Sequence, residues 1–350
     1  MKSKIEAHIV NDPNSEDLSL AEQVFHDLQI HSTGFHPGFF TPSDLSALAL
    51  TSKTLKLVVS PELNMRAAEK LLTHVVLGEQ TEAEAMIKAN PNLLLIQSKA
   101  IDYSGRTIIA TPFQAALGAG DKPMWNMMLP YFEGLEQGEA LRQFHEQFPN
   151  GIKDDVSAEQ LKIHYNALAF AIINDEDHGL SAIEGFRKNI TSQKKITEGK
   201  HFNLQHLLAA YQAYIDNFAA LTNWENRNIF WQKVIGYVQR QVTAYDAQIH
   251  CSGVKSVLDD ESKFARIFEL SNGGSFFPLI DGAGVGFDFG CFSYFVAGPR
   301  AGAGEAGCGP MVTLSARTGL VSYAEQKQRR LLDLESHLSK ECIISPINCS

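Results

Sequence analysis

The stretch Thr111–Phe132, TPFQAALGAGDKPMWNMMLPYF, decides the fold that this sequence predicts. Thr111 is a good helix cap, and Pro112 fits the first turn of the helix that follows. A turn that contains Gly120 then leads to a second predicted helix over Lys122–Phe132. Two short helices joined by a tight turn form a helical hairpin. The stretch therefore predicts an α-helical architecture built from such hairpins.

The same order of elements occurs once upstream. Helices are predicted over Asn64–Leu77 and Thr81–Ala89, and Gly78 stands between them where Gly120 stands in the second unit. Each unit is a helix, a glycine-containing turn and a helix, so the chain contains a pair of internal repeats. Two such units bury little surface alone, and we expect them to pack on the rest of the chain.

The second repeat resembles the ankyrin pattern. From Asp102 to Asp121 it reads D-x-x-G-x(5)-T-P-F-Q-A-A-L-x-A-G-D, whereas ankyrin repeats place D-x-x-G before T-P-L-H-x-A-A. Gln114 replaces the usual histidine, the segment before Thr111 is long, and Pro130 interrupts the second helix. The resemblance implies degenerate ankyrin-like repeats, and the alternative is an ordinary bundle of helical hairpins.

The C-terminal half predicts a helical bundle. Apolar side chains recur at helical spacing over 158–175, Phe202–Leu221, Asn223–Ile249 and Thr318–Lys340. Amphipathic helices of this kind must cover their apolar faces against one another. The predicted fold class is therefore mainly α, with degenerate ankyrin-like helical hairpins packed on a C-terminal helical bundle that carries a Gly-rich loop segment.

Three regions are predicted along the chain. Residues 1–60 form an N-terminal helical and loop segment, and residues 61–150 hold the degenerate ankyrin-like repeats. Residues 151–350 form the helical bundle, with the Gly-rich segment at 273–310 and the terminal helix behind it.

Composition excludes several classes of function. The net charge of −10 and the pI near 5.6 argue against nucleic acid or an anionic membrane as a partner. No apolar run is long enough for an integral membrane span, and the polar first residues are not expected to form a secretory signal. The five cysteines lack the spacing of a zinc site, and no acidic cluster has metal-ligand spacing, so we expect neither a metal nor a cofactor.

Two features of the sequence are candidates for a catalytic or nucleotide-binding role. The Gly282–Gly286 run reads G-x-G-x-G, which departs from the dinucleotide fingerprint, and no helix pattern follows it. Cysteine catalysis requires a thiolate and a nearby base. Cys308 lies in a glycine loop that could expose it, but the candidate bases His164, His250 and His337 are scattered. Cys308 is therefore the catalytic candidate only under the enzyme alternative.

The turns of the second repeat supply the predicted binding residues. Asp102, Tyr103, Arg106 and Asp121 lie in or next to turns, where we expect their side chains to be exposed. Stacked ankyrin-type repeats bind proteins through such surfaces. Trp125 is expected to be buried instead, since Met128 and Leu129 share its helix face.

Further motifs resemble a group of ankyrin-like effector proteins from Legionella-type intracellular bacteria. They are N-W-x(5)-F-W-x-x-V-I-G-Y-V-Q-R (223–240), G-G-S-F-F-P-L (273–279) and G-A-G-V-G-F-D-F (282–289). The resemblance implies export by a type IV secretion system without a cleaved signal peptide, and action on host proteins in the host cytoplasm. Two alternatives stay open: a cysteine-dependent hydrolase or transferase that uses Cys308, and a scaffold protein that stays in the bacterial cytoplasm.

Overall fold

The computed structural model describes residues 40–51, 53–154, 156–192, 194–269, 275–277 and 310–344. It is mainly helical, which confirms the predicted fold class at that level. The chain divides into two compact units, residues 1–68 and 69–350. The three predicted regions stay predictions, and most of the Gly-rich segment 273–310 lies outside the described residues.

The described part of the first unit begins with helix α1, Pro42–Thr51. Thr41 and Asp44 cap its start reciprocally. The Thr41 hydroxyl oxygen accepts a hydrogen bond from the Asp44 backbone N–H (3.2 Å), and the Asp44 carboxylate accepts one from the Thr41 N–H (3.0 Å). Helix α2, Lys53–Val76, follows and contains Pro61.

The helices predicted for the two units are present. The end of α2 and α3, Gln80–Ala89, correspond to the first unit, and α4, Pro112–Ala119, and α5, Lys122–Phe132, correspond to the second. Helix α6, Glu139–Gln147, follows them. Helix α5 packs against α3, α4 and α6, and α4 packs against α6. The predicted bounds of α5 are confirmed. The ankyrin-like assignment itself stays a prediction.

Local sequence explains why α4 forms where it does. The Thr111 side chain accepts a hydrogen bond from the Gln114 N–H, and the Gln114 side chain accepts one from the Thr111 N–H, which completes a capping box. At the other end, Gly120 adopts a left-handed conformation (φ 67°, ψ 29°). That conformation suits glycine and turns the chain into α5.

The structure contains a small sheet that the sequence analysis did not predict, and two of its strands directly precede α4. Strands β1, Ser98–Ile101, and β2, Thr107–Ala110, pair antiparallel around the Asp102–Gly105 turn. Strand β3, Lys195–Ile196, pairs parallel with β2 and gives the order β1-β2-β3. The segment before Thr111 that looked too long for an ankyrin repeat is therefore strand β2.

The C-terminal helices form the predicted bundle. Their bounds are α7, Ala158–Asn174; α8, Leu180–Ile190; α9, Gln205–Asn217; α10, Trp224–Ile229; α11, Gly236–Gln239; α12, Ala244–Ser252; α13, Val254–Asp259; and α14, Pro310–Ile344. Helix α9 packs between α7 and α14. One buried apolar cluster runs through these helices, centred on Tyr165, Tyr211, Tyr214 and Trp231.

The single long helix predicted over Asn223–Ile249 is wrong. A π-helical stretch, Phe230–Ile235, joins α10 to α11, and the chain then turns before Thr243 begins α12. Thr243 and Asp246 form a capping box there, which starts a new helix. The break places Asp246 inside the fold, where it meets α14.

Candidate functional site

Asp102 and Arg106 are buried, so the expected exposure of these two side chains is wrong. The Asp102 carboxylate accepts hydrogen bonds from the N–H groups of Ser104 (2.9 Å) and Arg106 (3.0 Å). It also accepts one from the Arg106 guanidinium (2.9 Å), which in turn donates to the His201 carbonyl (2.5 Å). The pair therefore holds the β1–β2 turn in shape and ties it to the chain at residue 201.

Tyr103 is the predicted binding residue that is exposed, with 40% of its surface accessible. Its ring stacks on Phe277 with centroids 4.4 Å apart, and Phe268 meets its edge. Partial burial, together with the negative charge of Glu79, raises the pKa of the Tyr103 hydroxyl above its usual range. The side chain is thus fixed in position and presents a neutral face to solvent.

Asp121 is 2% exposed, and its expected exposure is also wrong. Its carboxylate caps α5 by accepting from the Met124 N–H (3.0 Å). It also forms a two-pronged ion pair with Arg266, with N–O distances of 2.6 and 2.7 Å. Arg266 donates further to the side chains of Gln80 and Gln248. Asp121 therefore joins the start of α5 to the segment after α13.

A third ion pair, also buried, joins α12 to α14. The Lys327 ammonium lies 2.6 Å from the Asp246 carboxylate, which also accepts hydrogen bonds from Tyr323 (2.8 Å) and Thr243 (2.8 Å). Burial favours a raised pKa for Asp246, but Lys327 and these donors outweigh it and hold that pKa below its usual value. The Lys327 side chain passes over Gly120, where a Cβ atom would lie 2.0 Å from the lysine Cε.

A cavity of about 390 Å³ lies beside Lys327. Its walls come from the end of α4, the start of α7, residues 200–212 and the Arg317–Leu331 part of α14. A second cavity, of about 410 Å³, lies across residues 200–203 and is lined by Arg106, His201 and His206 among others. Sequence reasoning missed both, because the segments that form them are far apart in the chain.

Cys251, whose side chain the structure describes, is not an activated nucleophile. Cys251 is partly buried, and burial raises the pKa of its thiol to about 12. Its neighbour His250 directs Nδ1 at the Asp246 carbonyl (2.5 Å). The enzyme candidate Cys308 lies outside the described residues, so its catalytic role stays a prediction.

Within the described residues, no group of three or more histidine, cysteine, aspartate or glutamate side chains is arranged to hold a metal ion. A search of the same part of the chain for a helix long and apolar enough to cross a membrane finds none.

Two buried histidines make the fold sensitive to acid. Burial lowers the pKa of His250 to about 4, and burial together with the charge of Arg106 lowers that of His201 to about 3. In the unfolded chain both take up a proton near pH 6.5. The unfolded state then binds more protons than the folded state, so stability is lost as the pH falls below 6.5.

We expect the free energy of unfolding to fall by about 1.4 kcal/mol per pH unit for each of these histidines between pH 6.5 and about 4. Urea titrations at several pH values give the slope of the unfolding free energy against pH. That slope should be smaller for His250→Gln than for the parent, by the equivalent of about one proton. His145→Gln supplies the control for the substitution itself, since His145 is exposed on α6. An unchanged slope in His250→Gln would show that His250 is not the titrating group.

Comparisons with known proteins agree with part of the sequence interpretation. No family model and no solved structure matches the chain. An uncharacterised protein of Coxiella burnetii (strain RSA 493 / Nine Mile phase I) is 26% identical over 191 residues. The match covers 54% of this chain and 49% of the Coxiella protein, so the chain spans about half the length of that relative. Coxiella is a Legionella-like intracellular bacterium, so the match agrees with the predicted resemblance as far as the type of bacterium.

Proposed function

We propose that the chain is a non-enzymatic protein-interaction module, delivered by an intracellular bacterium into its host, that binds a host protein through the hairpin surface. The hairpin surface consists of Lys99, Ile101 and Tyr103. The observation that carries the proposal is the outer edge of β1, which pairs with no described strand. An unpaired edge strand is a template for an added strand from another chain.

The register shows which groups that edge offers. The Asp102 N–H donates to the Arg106 carbonyl (3.0 Å), so these two residues are a hydrogen-bonded pair. In an antiparallel ladder such pairs alternate with pairs that share no hydrogen bond, so the next hydrogen-bonded pair is Ala100 with Ile108. The N–H and C=O groups of Lys99 and Ile101 therefore point away from β2. The side chains of these two residues are exposed, and Ile101 is 64% accessible. The edge thus offers both backbone partners and apolar surface.

Rigid support favours binding at this edge. The Asp102–Arg106 ion pair fixes the turn, and the stack with Phe277 fixes Tyr103. A surface that is ordered before binding loses less conformational entropy when a partner docks. The three predicted residues that are buried therefore act as internal supports, and Tyr103 is the one that can contact a partner.

The expected partner contributes an extended segment. Its backbone would pair with Lys99 and Ile101, an apolar side chain would cover Ile101, and an acidic side chain would suit Lys99. The acidic net charge of the chain supports a protein partner over a nucleic acid. The Coxiella relative supports a role in an intracellular bacterium.

Ile101→Asp should weaken capture of a host protein by the full chain at least about tenfold, since it places a charge in the contact. Lys99→Pro should act likewise, because it removes an outward N–H and leaves the β1–β2 bonds intact. Ile163→Asp is the matched control, since Ile163 is 63% accessible on α7. Affinity capture from host lysate with quantitative mass spectrometry measures all three.

The proposal fails if the parent captures no host protein, or if the Ile101→Asp and Ile163→Asp variants capture the same set. Delivery is tested separately with a translocation reporter fused to the full chain. The signal should appear in host cells infected by bacteria with a working type IV secretion system and vanish in a secretion-deficient strain. Absence of the signal from host cells infected by either strain would favour the non-exported scaffold.

A further inference from the structure

We infer that the 390 Å³ cavity beside α14 is a binding site for a small amphipathic monoanion, with an apolar body and one carboxylate-like head. Cavities of about 300–1,000 Å³ are typical of small-molecule sites. The walls of this one converge from four separate parts of the fold. The site is independent of the hairpin surface, since the two share no residue.

The floor of the cavity is apolar. It is formed by buried side chains of α4, the 200–208 segment and α14, namely Leu117, Phe202, Leu204, Leu208 and Leu331. An aliphatic or aromatic body of a ligand would be stabilised here by about 25 cal/mol for each Å² removed from water. The floor therefore selects for an apolar portion in the ligand.

Arg317 supplies the polar end of the site. It lines the cavity from the N-terminal part of α14. Its Nε is buried without a partner. An unpaired buried donor on a charged group is costly, and an incoming carboxylate would satisfy the guanidinium through paired hydrogen bonds. The fixed fork of an arginine suits that planar head.

The charges around the cavity suit a ligand with a single negative charge better than a polyphosphate. Two of the basic side chains around the cavity are already neutralised, because Lys200 pairs with Asp154 (2.6 Å) and Lys327 pairs with Asp246 (2.6 Å). The remaining charged side chains of the lining are two basic and two acidic, namely Lys162, Arg317, Glu159 and Glu325. These four charges sum to zero, so the lining lacks the cluster of unpaired cations that a polyphosphate such as a nucleotide requires, whereas a single carboxylate needs only the Arg317 guanidinium.

The walls are closely fitted before any ligand arrives. Gly118 and Gly120 both border the cavity, and a Cβ at Gly118 would lie 2.4 Å from the His201 ring. These glycines let His201 and Lys327 close against the end of α4. A preformed wall of this kind loses little freedom on binding, which favours affinity for a small ligand.

Calorimetric titration of the full chain with octanoate, octan-1-ol and ATP tests the site. We expect saturable one-to-one binding of octanoate and no tighter binding of ATP. Arg317→Gln should weaken octanoate binding at least about tenfold and leave octan-1-ol unchanged. Ala209→Phe, which fills the cavity from α9, should abolish both. Arg329→Gln is the matched control, since Arg329 is exposed on the same helix and does not line the cavity.

The inference is overturned if the parent shows no saturable binding of octanoate, or if ATP binds more tightly than octanoate. It is also overturned if Arg317→Gln and Ala209→Phe both bind octanoate as the parent does, because the ligand then lies elsewhere. Circular dichroism checks that each variant folds. Should Ala209→Phe unfold, Gln328→Trp at the exposed rim blocks the same cavity and replaces it in the comparison.

Discussion

Replacing Trp125 with alanine should lower the free energy of unfolding by about 3–5 kcal/mol, the range for emptying a large aromatic site in a core. Trp125 is 1% exposed on α5, which confirms its predicted burial, and Met128 on the same face is fully buried. Helix α5 contacts α3, α4 and α6, so a cavity there weakens the packing of both repeats. Denaturant unfolding followed by circular dichroism measures the loss.

Trp224 offers a matched control for that experiment. It is 38% exposed at the start of α10, so Trp224→Ala removes a tryptophan of the same size from a site that water already reaches. We expect a loss of about 1 kcal/mol or less there. If Trp125→Ala unfolds at the parental denaturant concentration, the buried seam between α5 and its neighbours does not carry the stability assigned to it.

Local signals predicted the helices well. Thr111, Pro112 and Gly120 set the ends of α4, and each acts through contacts within a few residues, which a sequence displays directly. Strand β2 was missed because four residues give too short an alternation to stand out from a loop. The break before α12 was missed although its signal was present, since Thr243 and Asp246 carry the spacing of a capping box.

The candidate site was harder to predict because its partners are distant in the chain. A turn aspartate is usually exposed, and nothing near Asp121 indicates that Arg266 will cover it from 145 residues away. The cavity beside α14 has the same origin, because most of its floor, from Leu117 to Leu208, lies more than a hundred residues before Arg317 in the chain. Burial of charge depends on tertiary pairing, and one sequence does not display that pairing.

Breaking the buried pair of Asp246 and Lys327 should have an effect as large as the loss of Trp125. The Asp246 side chain is fully buried, and that of Lys327 is 12% exposed. Asp246→Asn leaves the lysine ammonium buried without its counter-charge, and Lys327→Met leaves the carboxylate without its cation. Each single variant should lose about 3–5 kcal/mol of unfolding free energy, the usual cost of an uncompensated buried charge.

The double variant separates the ion pair from simple loss of packing. Asn and Met together bury no net charge, so the double variant should be more stable than the sum of the single losses predicts, by about 2–3 kcal/mol. The asparagine amide oxygen accepts from one of the Tyr323 and Thr243 hydroxyls and its NH2 group donates to the other, which limits other changes at the site. Urea unfolding of the parent, the two single variants and the double variant completes this double-mutant cycle. Strictly additive losses would mean that the two charges do not stabilise each other, and that α14 is held on α12 by its other contacts.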